Sequence, residues 1–162
     1  MTIKILITGG TIDCERIEKK DKYVFEKTHL PEMLKQARCK VDIDSQVLML
    51  KHSSYITDFD RKKILQSCKN CKEDKIIIMH GTITMVETAQ LLGKNIKDKT
   101  IALLGSIVPF NQKNSDALFN LGCAISAVQA LSKGVYITMN GKIFSWNNVR
   151  KNKELEIFET LK

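Results

Sequence analysis

The sequence predicts a doubly wound α/β domain, in which helices flank a mainly parallel sheet on both faces. Apolar runs of strand length alternate with longer amphipathic stretches, which is the order of elements in βαβ units. The strand-length runs are rich in Ile, Val and Leu at consecutive positions, as expected for strands that are covered on both faces. The 162 residues suffice for one core, so we expect a single domain over 1–162.

Five strands and four helices are predicted in alternation. The strands are expected at 3–8, 46–50, 75–79, 100–104 and 135–139. The helices are expected at 31–38, 57–67, 85–92 and 115–131. Thr57, with Asp60 three residues later, is typical of a helix start, because both side chains can bind free amide groups of the first turn.

The remaining segments show no clear periodicity. The charged stretch 13–27 and the stretch 108–114, which contains Pro109, fit no regular element. A short strand is predicted at 142–144, after the Asn140-Gly141 turn, and the charged tail could form a last helix. No linker, low-complexity tract or internal repeat is visible in the sequence.

The net charge of +8 raises the question of nucleic-acid binding. The lysines are scattered, however, and the aromatic residues are not interleaved with them, as a stacking surface requires. We therefore interpret the charge as a solvated surface and expect no nucleic-acid partner. No apolar run approaches the roughly 20 residues of a membrane span, and no signal-peptide pattern is visible. We expect no membrane partner and a cytoplasmic location.

The five cysteines fit a reducing compartment, because their odd number argues against a complete disulfide framework. Cys68 and Cys71 form a single CxxC pair. Without further ligands at zinc spacing the pair predicts no metal site. A redox pair at a helix end and two incidental thiols near the end of a surface helix are the two interpretations, and the second is favoured.

Three loops that follow predicted strands carry unusual chemistry. In such a sheet, ligands bind beyond the carboxyl ends of the strands. The loops are Thr8-Gly9-Gly10-Thr11, His52-Ser53-Ser54 and His80-Gly81-Thr82-Ile83-Thr84. Paired glycines allow a tight turn that approaches a ligand closely.

The glycine pair by itself is ambiguous. A nucleotide-phosphate loop lacks support, because neither a third glycine nor a Walker lysine follows, so no cofactor is expected. A strand-end turn without chemistry would otherwise be favoured. The third loop instead favours a ligand-binding site, because Thr82 precedes a helix whose free amides can hold a carboxylate or an oxyanion. The hydroxyls of Thr11 and Thr82 could then converge on one small substrate. His80 is expected to be structural, and Glu87 is expected to be a solvated helix residue or an ion-pair partner.

At these loops the chain resembles the bacterial-type L-asparaginase family. Residues 7–12, ITGGTI, match the family's TGGTI signature, and residues 80–88, HGTITMVET, match HGTDTMEET. Residues 104–109, LGSIVP, resemble TGSMRP or VGAMRP, and residues 115–121, SDALFNL, resemble SADGxxNL. The resemblance extends from residue 3 to about 140 and is closest to short single-domain members that lack the carboxy-terminal domain. It implies the family's amino-terminal-domain fold, which is flavodoxin- or Rossmann-like.

The resemblance implies an amidohydrolase that converts L-asparagine to L-aspartate and ammonia through a threonine acyl-enzyme, with no cofactor. By position, Thr11 would be the nucleophile and Tyr23 would help to activate it. Thr82 would position the hydrolytic water and polarise the amide. The segment 13–27 would be the lid that closes over the substrate.

The resemblance also implies a substrate-binding set and an assembly. Ser53, with Ser54, would hold the substrate α-carboxylate. The other substrate-binding positions would be Gly10, Gly81 and Ile83. Because family members form dimers and tetramers, a homodimer or homotetramer is expected.

Some positions depart from the family pattern. Ile83 stands where the family has an aspartate that binds the substrate ammonium and takes part in an Asp–Lys–Thr relay. The relay lysine is expected in the long helix, where Leu131 takes its place and Lys133 points to another part of the surface. His52 and Val108 replace an aspartate and an arginine.

Two functional hypotheses follow. The first is a weak or substrate-shifted hydrolase that acts on asparagine or a related linear amide with Thr11 and Thr82. A threonine hydroxyl needs activation, and loss of a general base costs roughly two to four orders of magnitude in rate. The alternative is a catalytically inactive asparaginase-like protein that binds a ligand or partner in a pocket made more apolar by Ile83 and Leu131.

Overall fold

The computed structural model describes residues 1–16 and 23–162, and a six-stranded sheet forms its centre. The strands in chain order are β1 (Thr2–Gly9), β2 (Glu15–Arg16), β3 (Tyr23–Val24), β4 (Asp42–Lys51), β5 (Lys75–Met79), β6 (Thr100–Leu104), β7 (Gly134–Met139), β8 (Lys142–Ser145), β9 (Arg150–Asn152) and β10 (Ile157–Glu159). The central sheet has the order β4-β1-β5-β6-β7-β8, in which only β8 is antiparallel to its neighbour. The predicted mainly parallel sheet is confirmed.

Four helices cover the two faces of the sheet. They are α1 (Leu30–Gln36), α2 (Asp58–Asn70), α3 (Met85–Asn95) and α4 (Ala117–Ala130). Alternate residues of a strand point to opposite faces. Accordingly, Ile5 of β1 belongs to the core beneath α1 and α4, whereas Leu6 belongs to the core beneath α2 and α3. The helices thus lie on both faces, which confirms the doubly wound arrangement.

The strand order reverses direction at β1. The chain passes from β1 to β4 on one side and then returns to β5 on the other. In a doubly wound sheet, ligands bind beyond the carboxyl ends of the strands at such a reversal. Gly10 and Gly81 directly follow β1 and β5 in the loops at this point.

The predicted strands and helices are all present, with shifts at their ends. The helix start at Thr57 is a complete capping box, since Thr57 Oγ1 accepts from Asp60 N and Asp60 Oδ2 accepts from Thr57 N. The short strand after Asn140-Gly141 is confirmed as β8. The segment 13–27 is not wholly irregular, because it contains the antiparallel pair β2 and β3.

The prediction of a last helix is wrong. The tail forms a hairpin in which β9 and β10 pair in antiparallel fashion. Phe158 is buried against Phe144, with 6.4 Å between the ring centroids, and holds the hairpin on the core. The Asn152 side chain accepts hydrogen bonds from the amides of Glu154 and Leu155, which closes the turn. Burial of Phe158 thus favours a hairpin, although the charged composition of the tail favours a helix.

The CxxC pair lies at the end of α2, as predicted, and its thiols are free. Burial raises the pKa of Cys68 to about 12 and also raises the pKa of Cys71. The Cys71 thiol donates to the Cys68 carbonyl at 3.4 Å. Both thiols therefore stay protonated near neutral pH, and a redox role gains no support.

The described part of the chain can be searched for membrane-spanning helices and for groups of metal ligands. Within residues 1–16 and 23–162, no helix has the length and hydropathy needed to cross a membrane. Over the same residues, no three His, Cys, Asp or Glu side chains are grouped so that they could hold a metal ion.

Two helical glycines allow a matched test of the packing. A Cβ added at Gly93 would lie 2.2 Å from Trp146 Cδ2, whereas a Cβ at Gly122 would meet nothing within 4 Å. We expect Gly93→Ala to destabilise the protein by about 1–3 kcal/mol through this clash. Gly122→Ala should instead stabilise it by about 0.5–1 kcal/mol through helix propensity. Urea unfolding measures both, and equal effects of the two substitutions would contradict the packing of Trp146 on α3.

Candidate active site

Three loops meet at the carboxyl ends of β4, β1 and β5. A Cβ at Gly10 would lie 2.4 Å from Gly81 N, and a Cβ at Gly81 would lie 2.5 Å from Ser53 Cβ and Oγ. Gly10 also has a φ of +83°, in the region that favours glycine, and its amide donates to Lys51 O at 2.8 Å. The absence of side chains at Gly10 and Gly81 therefore allows the three loops to touch, as the sequence pattern predicts.

Thr11 begins a short 3₁₀ turn, Thr11–Asp13, directly after this glycine contact. Its carbonyl accepts from Cys14 N at 3.2 Å, and Phe110 N donates to the carbonyl of the next residue, Ile12. These bonds hold the backbone, while the side chain is partly exposed. Among the described residues, no hydrogen bond engages the Thr11 hydroxyl. It remains available to a substrate.

Thr82 is buried and receives a hydrogen bond from a lysine that the sequence analysis did not single out. Lys151 Nζ donates to Thr82 Oγ1 at 2.6 Å. Burial lowers the pKa of Lys151, with a further lowering from Lys153 that Glu156 opposes. A lowered pKa brings a larger fraction of the amine into the neutral form, in which it can accept a proton.

The predicted position of the relay lysine in the long helix is wrong. Leu131 follows the last residue of α4, and its carbonyl accepts from Lys75 Nζ at 3.3 Å. Because Lys75 begins β5, Leu131 lies at the amino end of the sheet, opposite the three loops. A helix that runs back between parallel strands ends at that edge, so its last turn cannot reach Thr82. The lysine that contacts Thr82 comes instead from β9.

No local sequence signal marks Lys151. It stands in a lysine-rich stretch, with Lys153 two positions later. The register of the β9–β10 hairpin, together with burial of Val149 and Phe158, directs Lys151 toward Thr82. The contact depends on this hairpin, and a helix was expected in its place.

Ser53 fixes the loop that carries Thr82. Its Oγ accepts from Ile83 N at 3.2 Å, and its carbonyl accepts from Thr84 Oγ1 at 2.8 Å. Ser53 is buried, whereas the neighbouring Ser54 is exposed. Ser53 thus supports the backbone of the Thr82 loop, and Ser54 is its exposed neighbour.

Aromatic side chains stand beside these serines. The Tyr23 ring stacks on His52, with 4.2 Å between centroids and 22° between planes. Tyr55 meets the other side of His52 edge-on at 6.2 Å. Burial lowers the pKa of His52, and Lys151 lowers it further, so this imidazole is neutral at pH 7. Tyr23 therefore lies over the second loop, and no described hydrogen bond joins it to Thr11.

Asp13, the first residue of the predicted lid 13–27, is hydrogen-bonded to the two residues that directly follow the lid. Asp13 accepts from Thr28 Oγ1 at 3.1 Å and from His29 N at 2.8 Å. Burial raises the pKa of Asp13, and these hydrogen bonds oppose the rise. Within the predicted lid 13–27, residues 17–22 lie outside the described residues.

The stretch around Pro109 packs behind Thr82. A Cβ at Gly105 would lie 2.4 Å from His80 O and 3.2 Å from Thr82 Cγ2. The Asp116 carboxylate accepts from the amides of Ile107 and Val108. Val108 therefore shapes the loop through its backbone.

His80 is structural, in agreement with the sequence interpretation. It is fully buried, and its Nδ1 lies 2.8 Å from Gly81 O and its Nε2 2.9 Å from Thr88 Oγ1. Because a carbonyl only accepts, Nδ1 carries the proton and Nε2 accepts from the Thr88 hydroxyl. Burial lowers the pKa of His80 to about 4. Glu87, as expected, is an exposed residue of α3.

This histidine predicts a pH-dependent stability. The pKa of His80 falls from 6.5 to about 4 on folding, so the native state excludes a proton that the unfolded chain binds between these values. Its contribution is fully present above pH 6.5 and is lost as the pH falls toward 4, by about 3 kcal/mol. Urea unfolding at pH 7 and pH 4 should show a larger loss in the wild type than in His80→Asn. Equal losses would contradict this assignment.

Comparison with known proteins gives matches over nearly the whole chain. The family model described as "Asparaginase, N-terminal" matches residues 2–160. The chain is 28% identical over 162 residues to a glutaminase-asparaginase of Acinetobacter glutaminasificans, a match that covers 92% of this chain and 49% of that protein.

Two solved structures are similar to the fold. The thermostable L-asparaginase from Thermococcus kodakarensis superposes with a TM-score of 0.86 at 26% identity, over 99% of this chain and 51% of that one. A probable cytoplasmic L-asparaginase from Campylobacter jejuni superposes with a TM-score of 0.80 at 32% identity, over 98% and 52%. The chain spans about half the length of each of these three relatives.

Proposed function

This chain belongs to the asparaginase N-terminal family, and from this premise we propose that it hydrolyses the side-chain amide of asparagine or a related small amide. The observation that carries the proposal is the 2.6 Å hydrogen bond from Lys151 to Thr82, on a loop that touches the one preceding Thr11. A hydroxyl available for attack and a hydroxyl with a basic partner thus lie on adjoining loops. Acyl transfer through threonine requires a nucleophilic hydroxyl and a basic group that activates it.

The reaction would run in two displacements at Thr11. Thr11 Oγ attacks the amide carbon and loses its proton, and collapse of the tetrahedral intermediate breaks the carbon–nitrogen bond. The nitrogen takes up a proton and leaves as ammonia, so that the acyl group stays on Thr11 as an ester. Water then attacks the ester and releases the carboxylic acid, and the proton from water returns to Thr11. One water is consumed for each ammonia released.

Lys151 and Thr82 would transfer the proton and orient the hydrolytic water. As an ammonium, Lys151 donates to Thr82 Oγ1, and as a neutral amine it can accept the hydroxyl proton instead. The lowered pKa of Lys151 increases the neutral fraction at a given pH. Thr82 could then accept a proton from water and direct its oxygen to the ester. Proton transfer of this kind contributes roughly 10²–10⁴ in rate.

The remaining site residues would bind and enclose the substrate. Ser53 and Ser54 would donate to a substrate carboxylate, and Gly10 and Gly81 would let the substrate approach the backbone. Tyr23, on the far arm of the segment 13–27, would move over Thr11 and assist its activation. The tie between Asp13 and the far end of this segment supports a lid hinged beside the nucleophile.

Assembly and location are part of the proposal. We expect a homodimer or homotetramer, which light scattering coupled to size-exclusion chromatography would measure. The similarity to a probable cytoplasmic L-asparaginase supports action in the cytoplasm.

Interception of the acyl-enzyme tests the proposed function. Hydroxylamine should compete with water for the ester and convert part of the product to a hydroxamate, while ammonia is released from the amide. Ammonia and hydroxamate are measured over a set of small linear amides that includes L-asparagine. Failure of every amide to release ammonia would overturn the proposal.

A further inference from the structure

The charged side chain that contacts the candidate site is a lysine. Lys151 lies on Thr82, and it is the neighbour whose charge acts on His52. The groups whose charges act on Lys151 are Glu156 and Lys153, both exposed on the turn between β9 and β10. While Lys151 is protonated, a ligand that contacts Thr82 therefore meets a cation directly beside the hydroxyl.

Three aspartates on segments that adjoin the site are already hydrogen-bonded. Asp13 accepts from Thr28 and His29, and Asp60 accepts from Lys51 Nζ at 2.9 Å and from Thr57. Asp116 accepts from two backbone amides and from the side chains of Asn120 and Asn140. Glu87 is exposed on α3. Within the described part of the chain, no carboxylate is hydrogen-bonded or ion-paired to Thr82, Ile83, Ser53 or His52.

The surface next to the reacting hydroxyls is apolar and aromatic. Ile83 directly follows Thr82, its amide is held by Ser53 Oγ, and 39% of its surface is exposed. Tyr23 is 54% exposed on top of His52. A carboxylate bound here has Lys151 and serine hydroxyls available, whereas an ammonium would leave water without gaining a counter-charge.

We infer that this site selects small ω-amides that carry a carboxylate but no free α-ammonium, of which succinamic acid is the simplest. The inference rests on the proposed amide hydrolysis and specifies its substrate class. Thr11 would attack the amide carbon of succinamate, ammonia would leave, and water would release succinate. The carboxylate would lie toward Lys151 and the serines, and the methylene chain toward Ile83.

Three amides that differ in charge test this selection. Succinamate has the carboxylate alone, L-asparagine has both charged groups, and β-alaninamide has the ammonium alone. The kcat/KM for ammonia release should be at least about tenfold higher for succinamate than for L-asparagine, the factor expected for one unpaired charge. β-Alaninamide should be the poorest of the three. Turnover with asparagine equal to or above succinamate would overturn the inference but leave the proposed hydrolysis standing.

A substitution at Ile83 supplies the missing charge. Ile83→Asp should shift the preference toward L-asparagine by about tenfold or more, whereas Ile83→Asn, of similar size but uncharged, should not. Circular dichroism checks that both variants are folded. An equal shift in the two variants would show that charge at this position does not set the preference and would overturn the inference.

Binding of the products gives a readout that needs no turnover. Succinate should raise the melting temperature of the wild type more than L-aspartate does at the same concentration. Stabilisation by aspartate that equals or exceeds that by succinate would overturn the inference. Preference for succinate without ammonia release from any amide would instead remove the proposed hydrolysis and retain the charge selection.

Discussion

Thr11→Val is expected to abolish ammonia release and hydroxamate formation while leaving the fold intact. Valine has the shape of threonine but no nucleophilic oxygen, so no ester can form. The loss should exceed roughly 10⁴ in kcat, to the limit of the assay. Because no described hydrogen bond engages the Thr11 hydroxyl, the free energy of unfolding should change by no more than about 0.5 kcal/mol.

Thr8→Val is the matched control in the same turn. Thr8 Oγ1 is buried and donates to Met79 O at 2.8 Å, so its loss removes a hydrogen bond from the core. We expect a destabilisation of about 1–3 kcal/mol with the nucleophile retained. Urea unfolding and steady-state kinetics on both variants should give opposite patterns. Residual turnover by Thr11→Val at the wild-type rate would exclude Thr11 as the nucleophile.

Lys151→Met should lower kcat for amide hydrolysis by roughly 10²–10⁴. Methionine keeps much of the side-chain length but removes the amine that lies 2.6 Å from Thr82 Oγ1. In the wild type, the rate should rise with pH as the neutral amine becomes populated, over a range that lies below the ordinary pKa of lysine. This rise should be absent in Lys151→Met and in Lys151→Arg.

Lys153→Met controls for charge. Lys153 is exposed on the same hairpin, so its replacement removes the same charge without touching Thr82. At the upper end of the pH profile, where Lys151 is neutral in both proteins, its kcat should stay within about twofold of wild type, since Lys153 acts on Lys151 only through its charge. A loss of rate in Lys153→Met as large as that in Lys151→Met would mean that the general positive charge, and not the contact to Thr82, supports the reaction.

The elements that could be predicted accurately from the sequence are those with a clear hydrophobic pattern. The strand at 75–79 and the strand at 100–104 were predicted to the residue, because near-continuous apolar runs are bounded by charged or polar residues. Most helix ends shifted by one to three residues, because helical periodicity fades over the last turn. The tail could not be predicted from its composition, because a single buried residue, Phe158, pairs it with a core that lies far away in sequence.

Some residues of the candidate site could likewise be predicted from the sequence, and others could not. Thr11 and Thr82 could be singled out because glycines beside them mark loops at strand ends, and such loops meet in a parallel sheet. Lys151 could not, because its approach to Thr82 depends on the register of a hairpin 69 positions away. Leu131 was placed by counting along a helix, but α4 runs antiparallel to the strands and ends at the opposite edge of the sheet.

By itself, the sequence determined the doubly wound sheet, the two threonine-bearing loops and the glycines that let those loops touch. These are local properties, since periodicity and backbone freedom are encoded within a few residues of where they act. Only the tertiary structure decided which basic residue contacts Thr82 and which partners the carboxylates of Asp13, Asp60 and Asp116 have. Both depend on contacts between distant segments, whose geometry follows from the packing of the whole core.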